Sequence, residues 1–290
     1  MRPLKALLAV LATLGLVMPM PTLAATLATV EAVQAPAWRD RGGIQVPLAA
    51  GMELQSGDVL RTGPGARAYL MLAEGSRVKL GEGARFSLHS RSLRPDRSFR
   101  GALDVLEGAF RFTTGKLKKA LPRELAIRVG TATIGIRGTD VWGKTDKDGD
   151  LVALIQGRIE ISRAGEITEL AQPMTYFDAP SGKAAAVKTL DLETFVRLAR
   201  QTEILAGDGA ARAKGQWRVL AAVAENEEAA LERYDQVREA GFAARVRPRA
   251  AEGGVWRYEI LLAGFASAEE AAVAAARLQA ATGLKSSVVR

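Results

Sequence analysis

The 290-residue sequence has no cysteine and one histidine. Without thiols there can be no disulfide, thiolate nucleophile or Cys-ligated zinc, and one imidazole is a poor basis for a His-built metal site or catalytic dyad. Long apolar runs are also scarce. The longest, Ala6–Val17, falls short of the roughly 20 residues that a membrane-spanning helix needs, and no later segment is long and apolar enough to span. The share of hydrophobic residues, 48%, is enough to build cores, and a charged fraction of 25% is ordinary, which excludes general disorder. The length is a soft prior for two domains.

The amino terminus bears on the compartment. Arg2 and Lys5 form a basic head, the apolar run follows, and Met18-Pro-Met-Pro21 breaks it. Thr22-Leu23-Ala24 then places small residues where a signal peptidase reads. This predicts a cleavable leader over residues 1–24, cut after Ala24 or Ala25, and an exported, periplasmic mature chain. No cysteine follows the leader, so lipoprotein processing is not expected. Export changes the meaning of the net charge of +8. Outside the inner membrane the available polyanions are lipid head groups and peptidoglycan peptides, not nucleic acid.

From Val30 to Pro180 the chain consists of short apolar runs separated by Gly, Pro and Asp, at the spacing of an all-β sandwich or roll. Examples are Ile44–Leu48, Ala68–Leu72, Arg77–Leu80, Leu103–Leu106, Ala109–Thr113, Leu151–Ile155 and Arg158–Ile161. The stretch Ala126–Asp140 organises the rest. Ile127, Val129, Ile134 and Ile136 read as inward positions on a strand, Gly130, Gly135 and Gly138 as bends or close approaches, and Arg137-Gly-Thr-Asp140 as a polar corner. Gly63-Pro-Gly-Ala-Arg-Ala-Tyr-Leu70 and Gly81-Glu-Gly-Ala-Arg-Phe-Ser-Leu88 share a G-x-G-A-R-x-x-L pattern, which suggests similar turns stacked on one core.

These blocks resemble a known family. Leu54–Leu70, Glu74–Gly81, Leu106–Phe112 and Val129–Asp140 are similar, in order, to the successive blocks of the FecR domain, over roughly Leu48–Ile161. The resemblance implies a β-rich, non-enzymatic, extracytoplasmic domain. In the family's type members it relays a receptor signal to a sigma factor. The cytoplasmic anti-sigma segment and the membrane span that precede the domain there have no counterpart in this sequence, so only the fold and a scaffold or sensing role are carried over.

Several residues in this region have both a sharp and a plain reading. Arg137 and Asp140 could meet a polar ligand, but satisfying the backbone of their own turn is the stronger reading. His89, in Phe86-Ser-Leu-His-Ser-Arg91, reads as a surface histidine. Asp146-Lys-Asp-Gly-Asp150 departs from a calcium loop at its glycine and bidentate-glutamate positions, which leaves a β-turn. Lys116–Arg123 is a small basic cluster on a solvated loop.

Residues 181–215 are expected to hold a helix and a flexible linker. Asp191 is the N-cap, Leu192, Phe195, Val196 and Ala199 form an apolar stripe packed back on the β domain, and Gly207 is the stop. Gly207–Gly215 reads as a tether.

Residues 216–290 read as βαββαβ: strands at Trp217–Val223, Phe242–Val246, Val255–Leu262 and Leu284–Val289, a helix Asn226–Ala240 capped by Asn226, and a second opened by the capping box Ser267-Ala-Glu-Glu270. This is a small α+β, ferredoxin-like unit. Its strand starts, E-x-A-A helices and Leu262-Ala-Gly-Phe265 turn resemble a SPOR domain. The resemblance implies binding of peptidoglycan glycan strands on the helix-free face of the sheet, here Arg218, Leu220, Arg245, Arg247, Arg257, Glu259 and Leu261. Val219 or Leu220 stands where the family has glutamine, and Glu259 where arginine is frequent. Side-chain parity and the internal repeat disagree by one residue along the first strand, which points to a bulge. The face reads either as a saccharide groove or as the charged solvent side of any helix-backed sheet. An RNA-binding domain shares the topology but needs aromatic residues on that face, and Trp256 and Tyr258 have the opposite parity.

The expectation is therefore a multidomain, non-catalytic envelope protein with a FecR-like β domain and a SPOR-like domain. Glycan strands and other envelope or inner-membrane proteins are its expected partners, and no metal, cofactor or nucleic acid is expected. The alternative is a periplasmic regulator of an extracytoplasmic-function sigma pathway acting through a membrane partner.

Overall fold

A computed structural model describes residues 25–94, 98–115, 123–251 and 255–290. The leader and most of the basic cluster Lys116–Arg123 lie outside them. The first region contains β1 (Ala28–Gln34), β2 (Ala37–Arg41), β3 (Ile44–Pro47), β4 (Glu53–Leu54), β5 (Val59–Thr62), β6 (Arg67–Leu72), β7 (Arg77–Leu80) and β8 (Arg85–Arg94). Longer strands follow: β9 (Ser98–Thr113), β10 (Arg123–Val129), β11 (Ala132–Asp146) and β12 (Gly149–Arg163), then β13 (Glu166–Leu170), β14 (Thr175–Pro180) and β15 (Ala186–Thr189). After α1 (Leu192–Arg200) and β16 (Ala211–Arg212) come β17 (Trp217–Ala224), α2 (Glu227–Glu239), β18 (Ala244–Ala250), β19 (Trp256–Phe265), α3 (Ala268–Thr282) and β20 (Ser287–Val289).

The first region is a small closed β structure with one aliphatic and aromatic core, including Leu60, Leu70, Phe86, Phe110, Ile127 and Ile134. Its long strands each serve two neighbours. The first half of β9 pairs in parallel with β10 and antiparallel with β8, while its second half pairs with β7 and β11. The bend falls at Gly108, whose φ of +86° and 2.6 Å approach of a would-be Cβ to Ala84 Cα leave no room for a side chain. Leu103–Leu106 and Ala109–Thr113 are thus parts of one bent strand, and so are Leu151–Ile155 and Arg158–Ile161, joined at Gly157 with φ +91°. At both places sequence reading takes a bend for a turn. The converse error falls at Gly130. Ala126–Asp140 is not one strand but a β10–β11 hairpin with Val129 paired to Ala132, and Gly130 takes φ +53° against Asp150. Ile127, Val129 and Ile134 are buried and Ile136 packs on the core, as their parity predicts. Gly135 sits in an unbroken ladder instead of marking a bend.

The two G-x-G-A-R turns lie against each other. Gly83 N–H donates to the Gly63 carbonyl at 3.4 Å, and Thr62 bridges them, its hydroxyl donating to Gly81 O at 2.6 Å and accepting from Ala84 N–H at 2.8 Å. Asp146–Gly149 is the β11–β12 turn, Asp146 accepting from Asp148 N–H at 2.9 Å.

In the C-terminal unit the strand order is β18-β19-β17-β20, all antiparallel, with α2 and α3 on one face. Asn226 and Ser267 cap the helices, accepting from Ala229 N–H at 2.8 Å and Glu270 N–H at 3.2 Å. The register of β17 slips at Ala221, between Leu220↔Leu261 and Ala222↔Ile260, which is the bulge that parity called for. Strand limits shift toward the C-terminus in β18, an edge strand that tolerates Pro248.

The connector differs from expectation. α1 starts on Asp191, which accepts from Thr194 N–H at 2.8 Å, but it ends at Arg200 with Gln201 as C-cap, well before Gly207. Half of the expected stripe is exposed, Leu192 at 71% and Val196 at 44%, whereas Phe195 and Ala199 are half-buried, and the helix end meets the β domain where Arg67 donates to Arg200 O at 3.2 Å. Gly207–Gly215 is no free tether. Ala210 is buried, and β16 pairs with both β1 and β19, joining the sheets of the two units. Further junction bonds run from Ala37 N–H to Gly241 O at 3.2 Å and from Arg277 Nη1 to Gly65 O at 3.1 Å.

Candidate functional site

Register fixes the helix-free face of the C-terminal sheet. Tyr258, Ile260 and Leu262 of β19 point to the helices, the Tyr258 hydroxyl donating to Glu227 of α2 at 3.1 Å, so Arg257, Glu259 and Leu261 point away. Opposite them stand Arg249, Arg247 and Arg245 of β18, while Leu220 and Arg218 of β17 pair with Leu261 and Ala263. The seven expected residues, Arg218, Leu220, Arg245, Arg247, Arg257, Glu259 and Leu261, thus share one face. Leu261 is buried at its centre and Leu220 is half-buried beside it.

The charges on this face are not equivalent. Glu259 holds Arg247 with contacts of 2.5 and 3.0 Å and lies 3.5 Å from Arg249. Arg218 donates to Arg290 O at 3.3 Å. Arg245 and Arg257 are exposed, and neither forms an ion pair among the described residues. The two arginines free to donate to a ligand therefore flank a pair that is already neutralised. Sequence reading missed Arg249, which the same alternation would have included.

A second polar cluster sits at the junction. Glu203 accepts from Lys79 at 2.6 and 2.7 Å, from the Tyr69 hydroxyl at 2.9 Å and from Arg111 at 3.1 Å. Burial opposes ionisation of Glu203, but the hydrogen bonds from Lys79 and Tyr69 and the charges of Lys79 and Arg111 outweigh it, so its carboxyl sits below the usual range. Burial pushes the Tyr69 phenol up, and its oxygen also accepts from Ile204 N–H. Arg111 makes a bidentate pair with Asp140 at 2.8 and 2.9 Å, and Thr113 adds a 3.3 Å bond. Asp140 therefore anchors a neighbouring strand instead of serving its own turn.

Glu270 forms the third feature. It occupies the glutamate position of a capping box, but its carboxylate turns toward the junction, accepting from the N–H groups of Gly207, Gly209 and Ala210 at 2.9, 2.5 and 3.0 Å. No spacing in the sequence foretells this, because the acceptor and donors are some sixty positions apart.

Residues 58–160 match the family model for FecR protein, and residues 213–290 match the model for the SPOR domain. The chain joins a FecR domain to a SPOR domain. SPOR domains are extracytoplasmic and bind peptidoglycan, and both domain types are generally non-catalytic. Two crystal structures from Parabacteroides distasonis, each of a protein provisionally assigned as an anti-sigma factor, are similar to the chain. One is 14% identical with a TM-score of 0.39, covering 48% of this chain and 62% of its own. The other is 13% identical with a TM-score of 0.40, covering 78% and 91%. No curated protein matches the sequence.

Within the FecR domain the carboxylates face structural partners. Asp58, fully buried, takes both arms of Arg41 at 2.6 and 2.7 Å and Gln55 N–H at 2.8 Å. Asp150 accepts from the hydroxyls of Thr131 and Thr145, each at 2.7 Å. Ser87, His89 and Asp104 come together, which superficially suggests a hydrolytic triad. Yet Ser87 Oγ, at 2.9 Å, and Asp104, at 3.2 Å, both meet the same nitrogen, Nε2, whereas a triad uses opposite ring nitrogens. Asp104 is also held by Arg128 at 2.5 and 3.0 Å. Among the described residues no cluster of His, Asp and Glu could hold a metal, and no helix is long and apolar enough to cross a membrane. The SPOR open face carries no aromatic on its central strands, since Tyr258 faces the helices, which removes the stacking platform an RNA-binding sheet would need.

Proposed function

We propose that this chain is an exported, periplasmic, non-catalytic envelope protein, with residues 1–24 as its cleaved leader. Its SPOR sheet binds glycan strands, and its FecR domain presents or senses a partner at the same place. The observation that carries this reading is the composition of the helix-free face. Arg245 and Arg257 supply donors for sugar hydroxyls and carboxylates, and Leu220 and Leu261 supply an apolar seat for a pyranose ring. Arg218, Arg247 and Glu259 frame it. The domain limits fitting this division are 30–180 for the β domain, 181–215 for the connector and 216–290 for the wall-binding unit.

The test is co-sedimentation of the mature chain with sacculi, with and without prior amidase treatment. Retention that rises when stem peptides are removed, and falls in Arg245→Ala/Arg257→Ala, is the expected result. Equal retention of wild type and variant on both preparations would refute the glycan reading. The FecR match also favours a second reading, regulation of an extracytoplasmic sigma pathway through a membrane-spanning partner. That reading requires an inner-membrane protein to co-purify with the chain after crosslinking in cells.

A further inference from the structure

A cleft of about 480 Å³ opens where the FecR and SPOR domains meet. This is within the size range, about 300–1,000 Å³, of sites that take small organic ligands. Both domains supply its apolar wall, Leu48 and Met52 on one side and Phe242, Leu262 and Phe265 on the other. Its charged lining is of one sign: Arg212, Arg238, Arg245 and Arg277 contribute to it, and no Asp or Glu does. Three of these four cations have no carboxylate partner among the described residues. Arg277 donates to the neutral Gly65 carbonyl. Arg238 is the exception, since its Nε lies 3.3 Å from the Asp235 carboxylate on the same helix. Neither Arg212 nor Arg245 forms an ion pair among the described residues. Like charges gathered beside an apolar wall repel one another and gain only when an anion joins them. An apolar cavity with a cationic lining fits a molecule that is apolar along its body and negative at one end.

We propose that this interdomain cleft binds an anionic amphiphile, a single acyl chain with a carboxylate or phosphate head held by Arg212 and its neighbours. The cleft adjoins the open sheet face and shares Arg245 with it, but Arg212 lines the cleft and is not on that face, so its substitution distinguishes the two sites. Because both domains line the cleft, the ligand would be sensed at the junction itself.

The experiment is isothermal titration of the full mature chain with decanoate, decyl phosphate, decyltrimethylammonium and inorganic phosphate, each below its micelle concentration. Saturable 1:1 binding of at least one of the two anionic amphiphiles is expected, with no binding of the cationic amphiphile or of inorganic phosphate. A preference for decanoate points to free fatty acid as the source, and a preference for decyl phosphate to phospholipid. Arg212→Gln, at an exposed side chain with no ion pair, is expected to weaken the anions about fivefold, the scale of one partly exposed charge contact, while leaving sacculus retention unchanged. Ala213→Trp, also at an exposed lining position, should abolish binding by filling the cleft. Unchanged circular dichroism and thermal unfolding in both variants keep the result interpretable. Absence of anion binding, equal affinity for the cationic amphiphile, or indifference to both substitutions would overturn the proposal.

Discussion

The FecR and SPOR regions spend their polar residues differently. In the FecR domain carboxylates and arginines turn inward and pair across strands, as Asp58 does with Arg41 and Asp140 with Arg111. These pairs pin strands that bend from one neighbour to another, and glycines make the bends possible. In the SPOR domain the core is small, its aliphatic side chains joined by Phe242 and Phe265, helix caps set the boundaries, and Arg245, Arg257 and Arg277 stay on an open face or at the junction. One region uses charge to hold its own shape, and the other leaves charge available for something else. The same substitution should therefore have different costs in the two.

Gly→Ala gives the largest contrast. At Gly108 alanine meets Ala84 backbone as well as an unfavourable φ, combining backbone strain of about 1–3 kcal/mol with overpacking of similar size. At Gly283, the αL cap of α3, φ is +75° but a Cβ would meet nothing within 4 Å, so only the left-handed penalty of about 1–2 kcal/mol applies. Urea unfolding of the two variants should rank Gly108→Ala well below Gly283→Ala. Equal losses would mean that the β9 bend is not sterically fixed.

Next in size is the carboxylate that joins the regions. Glu270→Ala leaves N–H donors of the 207–210 segment without an acceptor, and such a buried donor costs about 1–3 kcal/mol. A loss of at least about 2 kcal/mol is expected, with faster proteolytic cleavage within 207–215. Glu269→Ala, at an exposed neighbour in the same helical turn, should stay within about 0.5 kcal/mol of wild type. If both variants behave alike, the junction is not held by this carboxylate.

Much of this was legible in the sequence, for identifiable reasons. The SPOR helices announced themselves through Asn226 and Ser267 because capping is a local contact spanning three residues. The β17 bulge showed in the sequence as a parity conflict because strand alternation admits no other repair. The FecR strands were visible as apolar runs, but Gly108 and Gly157 look like turn glycines, and only the tertiary neighbours make them bends within strands. The open face could be listed by alternation. The neutralisation of Arg247 by Glu259 and the diversion of Glu270 could not, because each depends on which residues lie across from one another. Gly207–Gly215 has the composition of a tether, and its fixation comes wholly from partners distant in sequence.

The junction cluster gives a smaller, pH-dependent effect. The folded-state pKa of Glu203 is depressed, so its contribution is present above the unfolded value, about 4.3, and is lost as pH falls through the lower folded value. Tyr69 is raised, so its contribution is complete below about pH 10 and fades as pH rises beyond it. Glu203→Gln should therefore flatten the acid limb of a stability–pH curve below about pH 4. At neutral pH it is expected to cost less than Glu270→Ala, because Glu203 remains a quarter exposed. An unchanged acid limb would assign that slope to other carboxylates.

The smallest effect probes the open face and depends on the glycan reading. Glu259 stands where arginine is frequent in SPOR domains, and its carboxylate occupies Arg247 and approaches Arg249. Glu259→Gln keeps the size and an acceptor but removes the charge, which leaves both arginines freer to donate to a sugar. Partly exposed pairs of this kind are worth about 0–1 kcal/mol, so retention on amidase-treated sacculi should rise by no more than about fivefold, and the gain should shrink as salt is added. A fall in retention would instead make Glu259 itself the group that receives the glycan, accepting from sugar hydroxyls while Arg247 fixes its orientation. In either case the direction of the change separates a binding face from a solvated one, since a purely solvated face would leave retention unchanged.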